Sequence, residues 1–403
     1  MKQRRRHDPA RRVAAVGLVC LAAAMGIGRF AFTPLLPLMQ ADGSLTVLQG
    51  GKLASANYAG YLIGALLAFA LDPRPGRAAK LGLFAVALST LAMALTSSFA
   101  AWAALRFLAG AASAFVLVGV SAWALAALAR HGRPTWSGWV FAGVGAGIMV
   151  TGLAVLAIGA LGLAPASGWL LLGGAASVVA LVAAPVITEA PAPASPAQQA
   201  PAPSALDPAA WRLILCYAAF GFGYIIPATF LPAAARALVD DPRVFGWTWP
   251  VFGLAAAVST VTVASLLRSL TPRRAWALGQ MVMAAGVMLP ALELSLSAMI
   301  ISAVCVGGTF MVITMAGMLE ARRVGGRSAP RLMAAMTGAF AAGQMLGPLT
   351  VTAAGSAASA IGGPSLLAAS VVILAALALV RGSENIGRQD DPAATAPPDR
   401  KAG

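Results

Sequence analysis

Met25-Gly26-Ile27-Gly28-Arg29-Phe30-Ala31-Phe32-Thr33-Pro34-Leu35-Leu36-Pro37 lies inside the first long apolar run of the chain. A run of about 20 apolar residues is a membrane span, because a helix rising about 1.5 Å per residue then crosses the roughly 30 Å hydrocarbon core. The stretch therefore places an arginine at depth in a bilayer. An intramembrane charge is costly enough to mark a functional site by default. A weaker copy, Gly221-Phe222-Gly223-Tyr224 through Leu231-Pro232, follows 195 residues later, with Tyr224 where the first copy has Arg29.

Composition fits the membrane reading. Of 403 residues, 59% are hydrophobic and 10% charged, too few charges to cover a water-soluble fold of this size. The pattern predicts twelve spans at 13–39, 48–71, 81–98, 101–129, 137–161, 168–187, 210–235, 247–267, 275–293, 298–319, 333–357 and 365–381. Spans three, six and twelve are nearly pure in apolar residues and are expected to face lipid. Spans one, two, four, seven and eleven hold most of the bulky polar residues and are expected to face a central cavity. The net charge of +15 would suggest nucleic acid in a soluble protein. Here the basic residues fall in alternate loops: the N-terminal arginines, Arg74, Arg77 and Lys80, Arg130 and Arg133, Arg268, Arg273 and Arg274, then Arg322, Arg323, Arg327 and Arg331. The intervening loops carry only Arg236 and Arg243. That asymmetry predicts both termini in the cytoplasm and no nucleic-acid partner.

Residues 189–208 contain Ala-Pro repeats that read as an extended spacer. The expected organisation is a basic terminus (1–12), a first six-helix bundle (13–187), a Pro/Ala-rich linker (188–208), a second six-helix bundle (209–381) and a disordered tail (382–403). A six-plus-six parallel repeat predicts two similar bundles facing each other across a central path. Cys20, Cys216 and Cys305 all sit in apolar runs, and His7 and His131 in hydrophilic stretches. They give no disulfide, metal or cofactor framework.

On these residues the chain resembles the major facilitator superfamily of secondary transporters, over residues 13 to 381. Gly-Ile-Gly-Arg-Phe-Ala-Phe-Thr-Pro-Leu-Leu-Pro is similar to a bacterial subgroup of that superfamily. Asp72-Pro73-Arg74-Pro75-Gly76-Arg77 resembles the family's Asp-Arg-x-Gly-Arg gating loop with one extra residue. Its second-half counterpart, residues 268–274, lacks the aspartate. Arg106-Phe107-Leu108-Ala109-Gly110 resembles the Arg-x-x-x-Gly motif, and Gly143, Gly145, Gly147 and Gly152 resemble an antiporter motif without its Gly-Pro pair. The resemblance implies an all-α fold of twelve transmembrane helices, a multi-pass place in the bacterial inner membrane and alternating access without a cofactor. The protein is expected to act as a monomer. Asp72, Arg74 and Arg77 are the implied cytoplasmic latch.

Arg29 is the central candidate. It stays protonated at physiological pH, and the acids of the first half, Asp8, Asp42, Asp72 and Glu189, all fall in tails or loops. Either backbone carbonyls and water hold it, or its partner is an anionic substrate. Arg106 either snorkels to the interface or makes a second cationic contact or gate. Asn57 and Tyr61, four residues apart, share a helix face; with Tyr224 and Gln344 they offer uncharged hydrogen bonds around an anion. Pro34 with Pro37, and Pro227 with Pro232, are expected to kink spans one and seven near their outer ends, where gates close.

The leading function is transport of a small organic solute, an anion by the charge argument. An efflux pump for lipophilic cations would want a buried acid. A membrane enzyme on lipid-linked substrates would want catalytic His/Asp/Glu clusters at a membrane edge. The spans show neither.

Overall fold

The computed structural model describes residues 8–71, 73–188, 208–326, 329–352 and 359–381. Asp72, the body of the linker and the expected tail lie outside the described residues. Twelve long helices follow in order, with no strand among the described residues: α1 (Pro9–Ala41, internally broken), α2 (Val47–Leu71), α3 (Pro75–Ala92), α4 (Phe99–Arg130), α5 (Ser137–Ala160), α6 (Pro165–Ala183), α7 (Pro208–Leu238), α8 (Thr248–Ser269), α9 (Pro272–Leu292), α10 (Leu296–Gly325), α11 (Ala329–Thr352) and α12 (Ser359–Arg381). Eleven of these positions are long and apolar enough to cross a membrane, and α2, with 25 residues, fills the remaining place in the series. Helices suit hydrocarbon because every backbone group is satisfied within the segment.

The ends are set by local chemistry. Proline at the first helical position starts α1, α3, α6 and α9, where its missing N–H is no loss. Thr271 and Ser295 cap α9 and α10 by accepting the amides of Arg274 and Ala298 at 3.3 and 3.2 Å. Gly132 and Gly162 turn the chain between α4, α5 and α6 with φ of +66° and +65°. Several helices outrun the expected apolar spans: α3 begins six residues before position 81, and α10 continues six past position 319. Their basic end turns are helical too, and hydropathy alone does not see them.

The short loops make successive helices antiparallel, so the bundle has two faces. The described chain begins and ends on one, here the terminal face; the other is the far face. Helices α1–α6 form one half and α7–α12 the other, meeting along α1 with α7, α2 with α11, and α5 with α8. Thr33 Oγ1 donates to the Ala228 carbonyl at 2.9 Å. These positions are 195 residues apart, the offset of the sequence repeat, so equivalent residues of the two halves touch at the seam. As expected, α3, α6 and α12 turn large apolar side chains outward, including Leu81, Leu88, Leu181, Val182 and Leu374.

The glycines of α5 serve two neighbours. A Cβ on Gly143 or Gly147 would lie 2.1 or 2.4 Å from the carbonyl of Leu18 or Ala22 in α1. A Cβ on Gly145 would lie 2.3 Å from the Ala257 amide of α8, and one on Gly152 2.7 Å from the Pro250 ring. Helix α5 is thus wedged between α1 of its own half and α8 of the other. The fit loosens toward the terminal face, where a Cβ on Gly138 meets nothing closer than 3.8 Å.

Candidate functional site

The first helix does not run straight through the bundle. After Leu21 it widens into an eight-residue π-helix, Ala22–Arg29, and breaks at Phe30–Ala31 before resuming at Phe32. The Phe30 amide reaches back five residues to Met25, at 3.1 Å. Wide turns of this kind occur frequently at functional sites, and they release carbonyls that must be satisfied elsewhere. Ser113 of α4 donates to the Ala24 carbonyl at 2.8 Å. Asn57 of α2 donates to the Gly28 carbonyl at 3.3 Å and to the Arg106 carbonyl at 2.8 Å. Arg106 donates from Nη1 to the Gly28 carbonyl at 3.2 Å and from Nη2 to the Arg29 carbonyl at 2.8 Å.

These bonds decide the two readings of Arg106. It does not snorkel: its side chain is buried and turned inward, with its guanidinium carbon 5.4 Å from the Phe32 ring centroid. Of the two remaining uses, a contact to substrate finds little room, because both terminal nitrogens are spent on backbone. Asn57 likewise points its amide at carbonyls. Gly110, one turn beyond Arg106, lets α2 approach; a Cβ there would sit 2.0 Å from the Asn57 carbonyl.

The break aims Arg29 at the seam. Its side chain is 2% exposed. Nη2 donates to the Gln344 side-chain oxygen of α11, and Gln344 in turn donates to the Tyr224 hydroxyl of α7. The Tyr61 ring lies under the guanidinium, 3.8 Å from its carbon, with the Phe30 and Tyr58 rings at 5.3 and 5.6 Å. Nε is buried without a hydrogen-bond partner among the described residues. No carboxylate there forms an ion pair with Arg29; the resolved pair joins Arg273 to Glu320 at 2.8 Å, at the terminal-face ends of α9 and α10. Arg29 therefore faces neutral groups, with Arg106 as a second buried cation beside it.

Four of the expected binding residues, Arg29, Tyr61, Tyr224 and Gln344, converge on one point between the halves. Tyr58, not expected from the sequence, joins them and shares a 2.9 Å hydrogen bond with Thr229 across the seam. Its spacing from Tyr61 on α2 was the available signal. Pro34, Pro37, Pro227 and Pro232 are all buried toward the far face. Pro34 and Pro232 line a void of about 10 Å³ there, with Val155 and Pro242. Arg74 and Arg77 are exposed, without an ion pair among the described residues, and Asp72 lies outside them. The buried Arg273–Glu320 pair occupies the corresponding place in the second half. Glu320, an acid late in an apolar helix, was the legible half of that signal, since such an acid calls for a cation.

A twelve-helix, two-half membrane bundle with a buried cation on its seam has the architecture of a secondary carrier. The comparisons give the family. Residues 21–380 match the family described as "Uncharacterised MFS-type transporter YbfB", and the chain belongs to it: a multi-pass membrane transporter of the major facilitator type, not an enzyme. No curated protein matches the chain. Among solved structures, a bacterial homologue of the human lysosomal transporter Spinster, in an inward-facing and unoccupied conformation, is 15% identical with a TM-score of 0.71, covering 95% of this chain and 99% of that one. A mutant of the nucleoside transporter NupG is 13% identical with a TM-score of 0.70, covering 92% and 99%. A further NupG structure is also 13% identical, with a TM-score of 0.66 and coverages of 93% and 99%. At these identities the likeness carries the fold, and the substrate and lipid partners follow only as a small molecule and a bilayer.

Proposed function

We propose that this transporter carries a small organic anion by alternating access, with Arg29 as the fixed cation that receives the anionic group. The single observation behind this is a permanent charge, buried between the halves, with neutral side chains and a second cation, Arg106, around it and no carboxylate paired to it among the described residues. Removing a guanidinium from water costs several kcal/mol, and the ring contacts and one neutral hydrogen bond offset only part of that. The Gln344 side-chain oxygen stands where one oxygen of a carboxylate would bind. Arrival of the solute exchanges an amide for an anion, and Gln344 is then free to donate to the second oxygen.

Alternating access draws support from the seam. In this state the far face is packed around the prolines, while the α5–α8 fit is looser toward the terminal face, where a Cβ on Gly138 would be in ordinary contact with the Thr260 carbonyl. With the termini in the cytoplasm of a bacterial cell, as the loop charges favour, the terminal face is the cytoplasmic one. The monomer is complete in itself, since both walls of the site come from one chain. A carrier for lipophilic cations is disfavoured because two buried arginines repel its cargo. The nucleoside cargo named for NupG is neutral and leaves Arg29 unused.

The test is counterflow in liposomes containing the purified protein. Matched pairs of monocarboxylates and their amides are offered over a range of skeletons. Uptake confined to the acids is the expected result. Equal uptake of the amides, or uptake of cations, overturns the proposal.

A further inference from the structure

The aromatic side chains around Arg29 are placed unusually for a membrane protein. The chain has 4 tyrosines. Tyrosine in membrane helices is normally enriched at the two water interfaces, where its hydroxyl stays wet. Here Tyr58, Tyr61, Tyr217 and Tyr224 are all buried, and three of them touch Arg29 or its partner Gln344. Beyond Tyr224 the second half continues as a wall of rings from α7, α10 and α11. The Tyr224 ring lies nearly parallel to Phe340 (centroids 5.6 Å apart, 5°) and to Phe310 (4.9 Å, 25°). Phe340 also stands 4.9 Å from Phe220 and 5.3 Å from Tyr217. Phe220 and Tyr224 are fully enclosed, but Phe310 and Phe340 keep 6% and 8% of their surface open.

We propose that the transported anion is a flat aromatic monocarboxylate whose ring stacks on Phe310 and Phe340 while its carboxylate takes the Gln344 position on Arg29. This inference rests on the anion reading above and narrows it. A charged end and a planar end are linked by successive contacts: Arg29 to Gln344, Gln344 to Tyr224, and Tyr224 to Phe310 and Phe340, the least covered rings of the wall. Aliphatic side chains would pack such a wall equally well against an aliphatic solute. Stacked rings select for another ring, because offset pairs gain beyond the area they bury. A carboxyl group joined directly to the ring keeps the ligand planar. The Tyr61 ring and the Tyr224 hydroxyl flank the charged end.

The experiment uses four probes of nearly equal size on the purified full-length carrier: benzoate, benzamide, cyclohexanecarboxylate and cyclohexanecarboxamide. Binding is read as a shift in melting temperature against concentration. Benzoate is expected to bind at least about tenfold more tightly than cyclohexanecarboxylate, as two added stacking contacts allow, and both amides far more weakly. In the Phe310→Leu/Phe340→Leu variant the ratio of benzoate to cyclohexanecarboxylate falls below about threefold while the carboxylate is still preferred to its amide. If the two acids bind alike in the wild type, the aromatic proposal is overturned and the anion reading stands. If benzoate and benzamide bind alike, the anion reading fails and this proposal with it. A tenfold ratio that survives in the leucine variant also overturns the assignment to these rings. The wild-type comparison decides the matter even if the variant does not fold.

Discussion

Adding one methyl group to the seam tests whether the halves move against each other there. A Cβ on Gly253 of α8 would lie 2.2 Å from the Met149 amide nitrogen, 2.7 Å from its Cα and 2.8 Å from the Gly145 carbonyl oxygen. All three are backbone atoms and none can rotate away. Ordinary contact begins near 3.4 Å, so Gly253→Ala requires α5 and α8 to part by about 1.2 Å, and overpacking of this kind costs about 1–3 kcal/mol. If alternating access opens this seam, the cost falls on the far-closed state and not on its alternative. The balance then shifts about 5- to 150-fold toward far-face opening. The readout is Val155→Cys, a buried position lining the far-face void, with the three native cysteines replaced by alanine. A membrane-impermeant maleimide applied from the far side should label the introduced thiol at least about fivefold faster when Gly253→Ala is present. Gly138→Ala, with nothing closer than 3.8 Å, is the control and should leave the rate unchanged. Equal labelling of a folded Gly253→Ala protein would refute the reasoning, because the helices would then part without opening the gate.

The remaining predictions concern single groups. Arg273→Met leaves Glu320 buried without its partner and should lower stability by about 3–5 kcal/mol, with Arg273→Met/Glu320→Leu recovering most of it; a melting series in detergent shows whether the single variant is the less stable. Asn57→Leu removes the amide holding the Gly28 and Arg106 carbonyls and should cost about 1–3 kcal/mol. It should also slow transport by loosening the break that aims Arg29; unchanged melting and unchanged counterflow together would show that the clamp is idle. No carboxylate pairs with Arg29 among the described residues, so a protonophore should leave exchange of a permanently charged solute unaltered, and strict dependence on the proton gradient would place coupling at another group.

Twelve spans, two halves and the seam between them were legible because hydropathy and the 195-residue offset are properties of the chain itself. The isolation of Arg29 was legible as well, since the acids of its own half fall outside the spans. That Tyr61, Tyr224 and Gln344 meet it followed from depth and helix face. The π-helix at Ala22–Arg29 was not visible. It depends on α5 approaching closely enough that a Cβ on Gly26 would lie 2.3 Å from the Gly147 carbonyl carbon, a contact 121 positions away in sequence. Asn57 was legible as a polar group on a helix face, and Arg106 was left open between the interface and the interior; neither was legible as a backbone clamp, because the carbonyls they serve are freed only once α1 breaks. The Arg273–Glu320 pair joins two helix ends 47 residues apart and needed the tertiary fold to appear. The latch expected at Asp72 falls outside the described residues and stays a proposal, with Arg74 and Arg77 exposed beside it.

The most direct test of an anion site on Arg29 is the affinity of a carboxylate solute for wild type and for Arg29→Gln, with the melting temperature of each protein measured without solute. Truncating one partner of a buried charge pair costs about 2–5 kcal/mol, so affinity should fall by at least about 30-fold. The unliganded variant should melt no lower than wild type, because removing an uncompensated cation relieves its desolvation. Unchanged affinity, or an Arg29→Gln protein that no longer folds, would contradict the account: the first would move the anion elsewhere, and the second would make Arg29 a structural residue.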